Sequence, residues 1–312
     1  MPTFGQLKID LLNLGSVAAG TDAETMVKNA LNRSYRKMQA LSDNLLAGRT
    51  FTLTSVAATS KYGLPLYVAR IQSIIDQTND RPVEEFTDVA FDDLYPKTAN
   101  TGDPTRYFIY GVMGVQAQPT AAGVVTVVSD DVDDNGIVRV TGYNATASTL
   151  IAEDVTLTGT TAVSTTNSFA SNATISDPIE RIVKVRTSTG TTTFDGNLTV
   201  TRGTVTLCVI PYWSDSPEYL WVHFYPIPDS AITYTVRADM YKPPLINDGD
   251  WPQVPEDFHD VLLWDAGAEV LTPFGKPELA QAFWQKAERR IKQFKSHADK
   301  RPNQIRTFED VM

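Results

Sequence analysis

One cysteine and three histidines are all that 312 residues supply of the commonest soft metal ligands and nucleophiles. The single thiol, Cys208, excludes an internal disulfide and any multi-thiolate metal site. Its setting in Val205-Thr206-Leu207-Cys208-Val209-Ile210 marks it as a small core residue of a strand. His223, His259 and His297 are far apart in sequence, and none has a second histidine or a cysteine at ligand spacing. Structural or surface roles are expected of all three. No Gly-x-Ser-x-Gly or His-Glu-x-x-His occurs, and Gly111-Val112-Met113-Gly114 lacks the lysine of a phosphate loop. The chain is therefore expected not to be an enzyme and to hold no cofactor and no metal. No apolar run reaches the eighteen or so residues that cross a bilayer. Met1-Pro2-Thr3-Phe4-Gly5 has no basic start before an apolar stretch, so neither a membrane partner nor a secretion signal is expected. The matching expectation is synthesis in a reducing cytosol.

Positive charge is also in short supply. The formal net charge is −10, which argues against gripping nucleic acid, because phosphate binding needs a positive surface. An acidic surface is compatible with DNA sliding past without sticking. The imbalance is uneven: nine basic residues face five acidic ones from Lys276 onward, whereas Ala117–Thr204 holds nine acidic and five basic.

Helical spacing appears near both ends. Residues 22–46 place Met26, Ala30, Leu31, Tyr35, Met38, Leu41 and Leu45 mostly three or four apart, which makes one apolar helix face. Thr21 and Asp22 are candidate caps for its first turn, and Gly48 its stop. A shorter helix is expected over Phe4–Leu14. Towards the other end, about Glu256 to Leu271 is expected to bury Phe258, Leu262, Ala266 and Val270. A second helix opens at Pro277, a residue suited to the first turn, with Leu279, Phe283, Ala287, Ile291 and Phe294 as its stripe.

Between these segments the texture is β. Roughly from Gly114 to Asp215 threonine and valine dominate, and short alternating runs occur at Val124–Val128, Ile137–Thr141, Val155–Thr158, Ile182–Arg186 and Leu198–Arg202. Turn signals such as Asp134-Asn135-Gly136 and Asp195-Gly196-Asn197 separate them. That pattern suggests a small immunoglobulin-like sandwich. Farther on, Ile232–Tyr241 alternates apolar and polar residues, and Leu220–Tyr225 is its expected hairpin partner through Pro226-Ile227-Pro228-Asp229.

Taken in order, Tyr62-Gly63-Leu64-Pro65, the Trp221–Tyr241 hairpin, Lys242-Pro243-Pro244-Leu245, Asp248-Gly249-Asp250-Trp251 and Val254-Pro255-Glu256 lead into the helix Phe258–Leu271. In that order and spacing the chain resembles head-to-tail connector (adaptor, or head-completion) proteins of tailed bacteriophages over about residues 5–115 and 215–312. The Thr-rich centre departs from the plain pattern and resembles the Ig-like decorations of phage structural proteins. The resemblance implies a homo-oligomeric ring, usually of twelve copies, docked on the portal protein in the virion. Such a ring extends the DNA channel and offers a platform to a tail or nozzle protein. Double-stranded DNA passes through it without specific binding, and the chain is made in the bacterial host cytoplasm. The expected fold class is α+β: a helical bundle of N- and C-terminal helices, a β-hairpin platform and an inserted Ig-like β-sandwich. The expected divisions are 1–115 plus 215–299 as connector core, 116–214 as insert and 300–312 as an arm.

Three readings compete for the basic residues Arg289, Arg290, Lys292 and Lys295. They form a solvated helix face, or they meet an acidic neighbouring subunit or the portal, or they touch DNA. Ile305, Arg306 and Phe308 in the C-terminal arm are the other expected portal or inter-subunit contacts. One motif and one scarcity bear on rival functions. Asp131-Val132-Asp133-Asp134-Asn135-Gly136 matches the first half of a calcium loop, yet Gly142 stands where the twelfth-position glutamate belongs; a tight hairpin turn explains the same residues and is preferred. A carbohydrate- or surface-binding virion decoration protein would need aromatic platforms in the Thr-rich segment, where Tyr143, Phe169 and Phe194 are nearly alone.

Overall fold

Alternating and helical patterns divide the chain into two compact units, residues 48–240 and residues 1–47 with 241–312. The structure, a computed structural model, describes residues 2–16, 20–42, 45–87, 100–118, 122–145, 149–170, 182–187, 194–212, 214 and 217–299.

Residues 48–240 are built of strands. One sheet of seven has the order β1-β14-β3-β4-β5-β13-β2, with β1 Ala47–Thr54, β2 Lys61–Gly63, β3 Val68–Asp76, β4 Arg81–Glu85, β5 Arg106–Met113, β13 Tyr219–Tyr225 and β14 Thr233–Met240. β4 and β5 run parallel; β14–β3, β3–β4, β5–β13 and β13–β2 are antiparallel. Its inward residues include Ile71, Ile74, Val83, Tyr107, Val222, Phe224, Tyr234 and Val236 in one cluster. Phe224 of β13 stacks on Tyr234 of β14 with ring centroids 4.8 Å apart. Those strands stand four places apart in the order, a separation of roughly 19 Å in a flat sheet. The sheet must therefore curl on itself, as a half-barrel.

Seven further strands form two small sheets, β10-β7-β8 and β12-β11-β6-β9. They are β6 Thr126–Ser129, β7 Ile137–Tyr143, β8 Leu150–Thr156, β9 Val163–Ser164, β10 Ile182–Thr187, β11 Leu198–Arg202 and β12 Val205–Ile210. Val127, Val138, Val140, Val155, Leu198, Val200, Leu207 and Ile210 share one core, and threonines take the outward positions of β11. β-branched residues suit such half-buried pleated surfaces. Val115, Tyr219 and Trp221 of the large-sheet region belong to this same core, and the Trp221 indole donates to the Val115 carbonyl at 2.7 Å.

Helices occupy the other unit: α1 Phe4–Gly15, α2 Thr21–Ala40, α3 His259–Val270 and α4 Pro277–Asp299, with a 3-10 turn Glu256–Phe258 before α3. Thr3 caps α1 by accepting from the Gln6 amide at 3.3 Å. α2 starts after Gly20 with no side-chain cap and ends at Ala40, so neither Thr21 nor Asp22 caps it and Gly48 lies in β1. The polar residues Asn32, Tyr35 and Gln39 of α2 hold the extended segment that follows β14. Asn32 donates to the Leu245 carbonyl at 2.9 Å and accepts from its amide at 2.7 Å. The Gln253 amide donates to the Tyr35 hydroxyl at 3.2 Å, and the Lys242 amide to the Gln39 side-chain carbonyl at 2.6 Å.

The expected fold class is overturned. The described residues are mostly β, in three sheets, with four helices at the chain ends. They do not make the expected bundle, in which each helix would pack two neighbours round a common centre. α3 packs against α1, α2 and α4, while α4 rests chiefly on α3, where Leu271, Ala280 and Phe283 form a cluster of their own. The hairpin platform is also corrected, because β13 and β14 are not neighbours. Their connection spends its hydrogen bonds elsewhere: the Ile227 amide donates to Asn100, and the Ile227 and Pro228 carbonyls accept from Gly102 and Ala58. The Tyr225–Pro226 peptide is cis. The small sheets depart from immunoglobulin strand order too. Seven strands in that order would pair as 1-2-5-4 and 3-6-7, whereas here β8 joins β7, and β6 and β9 join β11.

One buried carboxylate closes the β3–β4 turn. Asp76 is fully buried and accepts from the Thr78 amide at 2.8 Å and from the amide and side chain of Asn79 at 3.1 and 2.8 Å. Arg81 lies 3.5 Å away. Burial by itself would raise this carboxyl; the Asn79 and Thr78 bonds and Arg81 outweigh it and hold the carboxyl below its ordinary value. A depressed folded value stabilises above the unfolded pKa and loses that stabilisation as pH falls through it. Asp76→Ala should thus cost about 2 kcal/mol at neutral pH, a deficit that shrinks below about pH 4. Thermal unfolding of both proteins from neutral to strongly acid pH tests this, and a deficit that stays constant contradicts it.

Candidate functional site

α4 carries the expected contact residues, and its seating decides which of them are available. A turn at residues 271–275 precedes it, where Gly275 takes φ +76°, a backbone region that a side chain disfavours. The Lys276 amide closes the turn on the Leu271 carbonyl at 2.8 Å. The helix then meets α3 at Gly267. A Cβ on Gly267 would lie 2.6 Å from the Phe283 ring and 3.1 Å from Leu11, so α1 and α4 both approach α3 through the space a glycine leaves. Farther along, Phe294 meets Phe258 edge-on with centroids 5.0 Å apart.

The four basic residues separate on this helix. Arg290 turns into the chain: it donates to the Asp257 carbonyl at 2.7 Å and to Gln293 at 2.9 Å. It lies 3.4 Å from Asp260 with its guanidinium over the Phe258 ring at 5.1 Å. Lys292 pairs with Glu288 one turn earlier at 2.9 Å, an exposed pair of small energetic weight. Arg289 and Lys295 are exposed. Ile305, Arg306 and Phe308 lie outside the described residues. Trp284 is 56% exposed and was not singled out by the sequence pattern. It falls at the edge of the apolar stripe, and at helical spacing Trp284, Glu288, Lys292 and Lys295 line one side of α4. The available signal was a tryptophan among Gln, Lys and Glu, since a large ring displayed in solvent commonly marks an interface.

The competing motifs have structural explanations. The Asp134 carboxylate accepts from the Ser129 hydroxyl at 2.5 Å and from the Asp195 and Gly196 amides at 2.9 and 3.1 Å. The Asp130 carboxylate accepts from the amide and side chain of Asn197 at 2.6 and 2.9 Å. These carboxylates tie two loops together, and among the described residues no group of three or more His, Cys, Asp and Glu could hold a metal. His223 and His259 are buried, and His259 Nε2 lies 2.8 Å from the Val254 carbonyl. Burial pushes the Cys208 thiol far up, away from reactive thiolate character. Phe169 and Phe194 are core residues, and among the described residues this leaves Tyr143 as the half-exposed aromatic of the small sheets that a sugar could stack on. No described helix is long and apolar enough to cross a membrane.

The family described as SU10 adaptor protein matches residues 137–307, more than half of the chain. No curated protein matches. The matched stretch includes β7–β14, α3 and α4. It thus runs through most of the Thr-rich region that the sequence pattern set apart, and leaves α1 and α2 outside.

Arg290 and Arg289 should behave differently when truncated. Arg290→Ala is expected to lower stability by about 1–2 kcal/mol through loss of the Asp257 and Asp260 contacts. Arg289→Ala should stay within about 0.5 kcal/mol. Thermal unfolding of the two variants checks the distinction, and equal losses would contradict it.

Proposed function

The chain belongs to the SU10 adaptor protein family, a family of phage structural adaptors, and from that membership we propose that it forms a ring docked on the portal of a tailed-phage virion. In this reading the ring extends the DNA channel and presents a platform for a tail or nozzle protein. Twelve copies are the expected number. The chain is synthesised in the bacterial host cytoplasm and acts as a structural part, not as an enzyme. The observation that carries the reading is the family match across β7–β14 and both C-terminal helices. Residues 1–115 with 215–299 would then serve as the connector core, 116–214 as the lobe set into it, and 300–312 as an arm that engages the portal.

Charge supports the passage of DNA. Residues 48–240 hold 21 acidic and 12 basic side chains, while the rest of the chain holds 16 and 15. The excess of negative charge is thus concentrated in the β unit. Twelve copies would multiply the chain's formal −10 twelvefold, and a surface of one sign repels DNA at short range.

Electron microscopy of the protein mixed with the portal protein of its own genome tests the reading. A second ring stacked on the portal is expected, and portal rings left bare in the presence of excess folded protein would overturn it. Replacing Ile305 and Phe308 with serine should weaken this docking at least tenfold while leaving thermal unfolding unchanged. Undiminished docking would remove the arm from the interface.

A further inference from the structure

The helical unit displays two exposed patches that combine large apolar side chains with charge, and the charges are of opposite sign. The first is the side of α4 described above. Trp284 is 56% exposed, and Lys292, paired with Glu288, and Lys295 follow it at helical spacing, with Arg289 one turn before Lys292 on its far side. The second lies where the loop 246–251 meets the start of α1. The Phe4 amide donates to the Asp250 carbonyl at 2.9 Å and the Gly5 amide to the Asp248 carbonyl at 3.0 Å. Gly5 is what permits the approach, since a Cβ there would sit 2.8 Å from the Asp248 Cβ. The pinned loop sets Ile246, 55% exposed, and Trp251, 49% exposed, next to α1, where Ile9 is 53% exposed one turn beyond Gly5. Asp10 and Asp248 give this patch its negative sign. Lys8 offsets part of it through its pair with Asp248.

Three large apolar side chains about half in water, two on a loop held by two backbone hydrogen bonds and one on the helix it is held to, form a patch of the kind associated with interfaces. Exposed tryptophans are the residue type most often found as interface anchors. Each patch alone would not identify its partner. Together they do, because an acidic apolar patch and a basic apolar patch on one unit complement each other and not themselves. A contact that set either patch against its own copy would bring like charges together, so the complementary pairing is the α4 face of one copy with the α1 and loop face of another. A head-to-tail contact sets the α4 face of one copy against the α1 and loop face of the next, and repetition of such a contact produces a closed ring or an open filament.

We propose that the occupant of each patch is a second copy of this chain, with Trp284, Arg289 and Lys295 of one copy meeting Ile9, Asp10, Ile246 and Trp251 of the next. The inference rests on the ring reading and names its subunit contact. It also explains the different roles of neighbouring arginines on α4. Arg290 is consumed in seating the helix, whereas Arg289 and Lys295 remain on the surface that the next copy meets. Long-range attraction between the patches is screened by salt, so the association is strongest at low ionic strength.

The test mixes two variants that each lose one face. Variant one carries Trp284→Ser and Lys295→Glu; variant two carries Ile9→Ser and Ile246→Ser. Circular dichroism and thermal unfolding establish that both are folded, and Lys295→Glu alone serves as a milder third protein. In sedimentation velocity at low salt the unaltered chain is expected to assemble beyond dimers, and to do so less as salt rises. Each double variant should remain monomeric, and Lys295→Glu should weaken assembly about tenfold. An equimolar mixture of the two variants should give heterodimers and nothing larger, because each copy then retains a single usable face. Variants that assemble like the unaltered chain overturn the proposal, as do a mixture that stays monomeric and an unaltered chain that is monomeric at every concentration. Portal capture, scored separately, keeps the two ideas distinct. Capture together with variants that still self-associate leaves the adaptor reading standing and removes this contact. Self-association that follows the two faces without any portal capture does the reverse.

Discussion

Strand β13 is buried on both faces, and residues 48–240 are organised around that constraint. Val222 and Phe224 enter the core of the curled sheet, while Tyr219 and Trp221 enter the core of the small sheets. One strand of seven residues thus belongs to two hydrophobic clusters. Its neighbours follow from this double role. β5 and β2 flank it in the sheet, Tyr62 and Tyr107 pack edge-on against Phe224, and the Tyr219 hydroxyl lies 2.8 Å from the Val209 amide of β12. Each fully buried large side chain of this kind contributes roughly 1.5–3 kcal/mol. Removing the small-sheet strands would leave Tyr219 and Trp221 facing water, so the two cores of this unit depend on one another.

That constraint explains why the hairpin expected from sequence is wrong. Alternation along Ile232–Tyr241 correctly indicates a strand with one buried face, since Tyr234, Val236 and Ala238 point into the core. The run Leu220–Tyr225 is apolar or aromatic at nearly every position, which is the texture of a strand buried on both sides. Two adjacent strand-like runs with prolines between them suggest a hairpin by proximity alone. Pairing is decided instead by the second core, to which Val115 and the distant small-sheet residues contribute. Those contacts join residues about a hundred positions apart, and no local pattern reveals them. The small sheets show the same limit. Four short strands were legible from period and turn residues, while the run Val155–Thr158 meets only the end of β8; their order depends on which edges meet across the core, and alternation carries no information about that.

The helices were more legible because their signals are local. The stripe Phe283, Ala287 and Phe294 is buried as its spacing requires, and so are Phe258, Leu262, Ala266 and Val270. Their arrangement was not legible. α2 reads as an amphipathic helix, yet three polar residues on it, Asn32, Tyr35 and Gln39, fasten the extended stretch between β14 and α3 by side-chain bonds to its backbone. Asn32 and Gln39 are buried, and a buried amide that satisfies backbone groups replaces the ladder bonds that an extended segment would otherwise lack. In sequence Asn32 and Gln39 are indistinguishable from a solvated face. Gly267 is a parallel case: a glycine inside a helix reads as a weak point, whereas here it is the opening through which Phe283 and Leu11 reach α3.

The candidate surface shows why counting charges overstates what an interface can use. Four basic residues in seven positions of α4 read as one stripe, but helical geometry distributes them around the axis. Arg290 is directed toward α3 and the 3-10 turn, where Asp260, the Asp257 carbonyl and the Phe258 ring satisfy its guanidinium. Lys292 shares its charge with Glu288. A partner meeting α4 would encounter Arg289, Lys295 and the indole of Trp284. Apolar area, more than charge, would then supply most of the attraction, and the charges would select which surface is met and in which direction. The same division holds on the α1 and loop patch, where Lys8 offsets Asp248 and leaves Ile9, Ile246 and Trp251 as the larger contribution. In the proposed ring, directional charge with modest net attraction would favour the repeated head-to-tail contact over random association, because a copy presented the wrong way round gains apolar burial but sets like charges together.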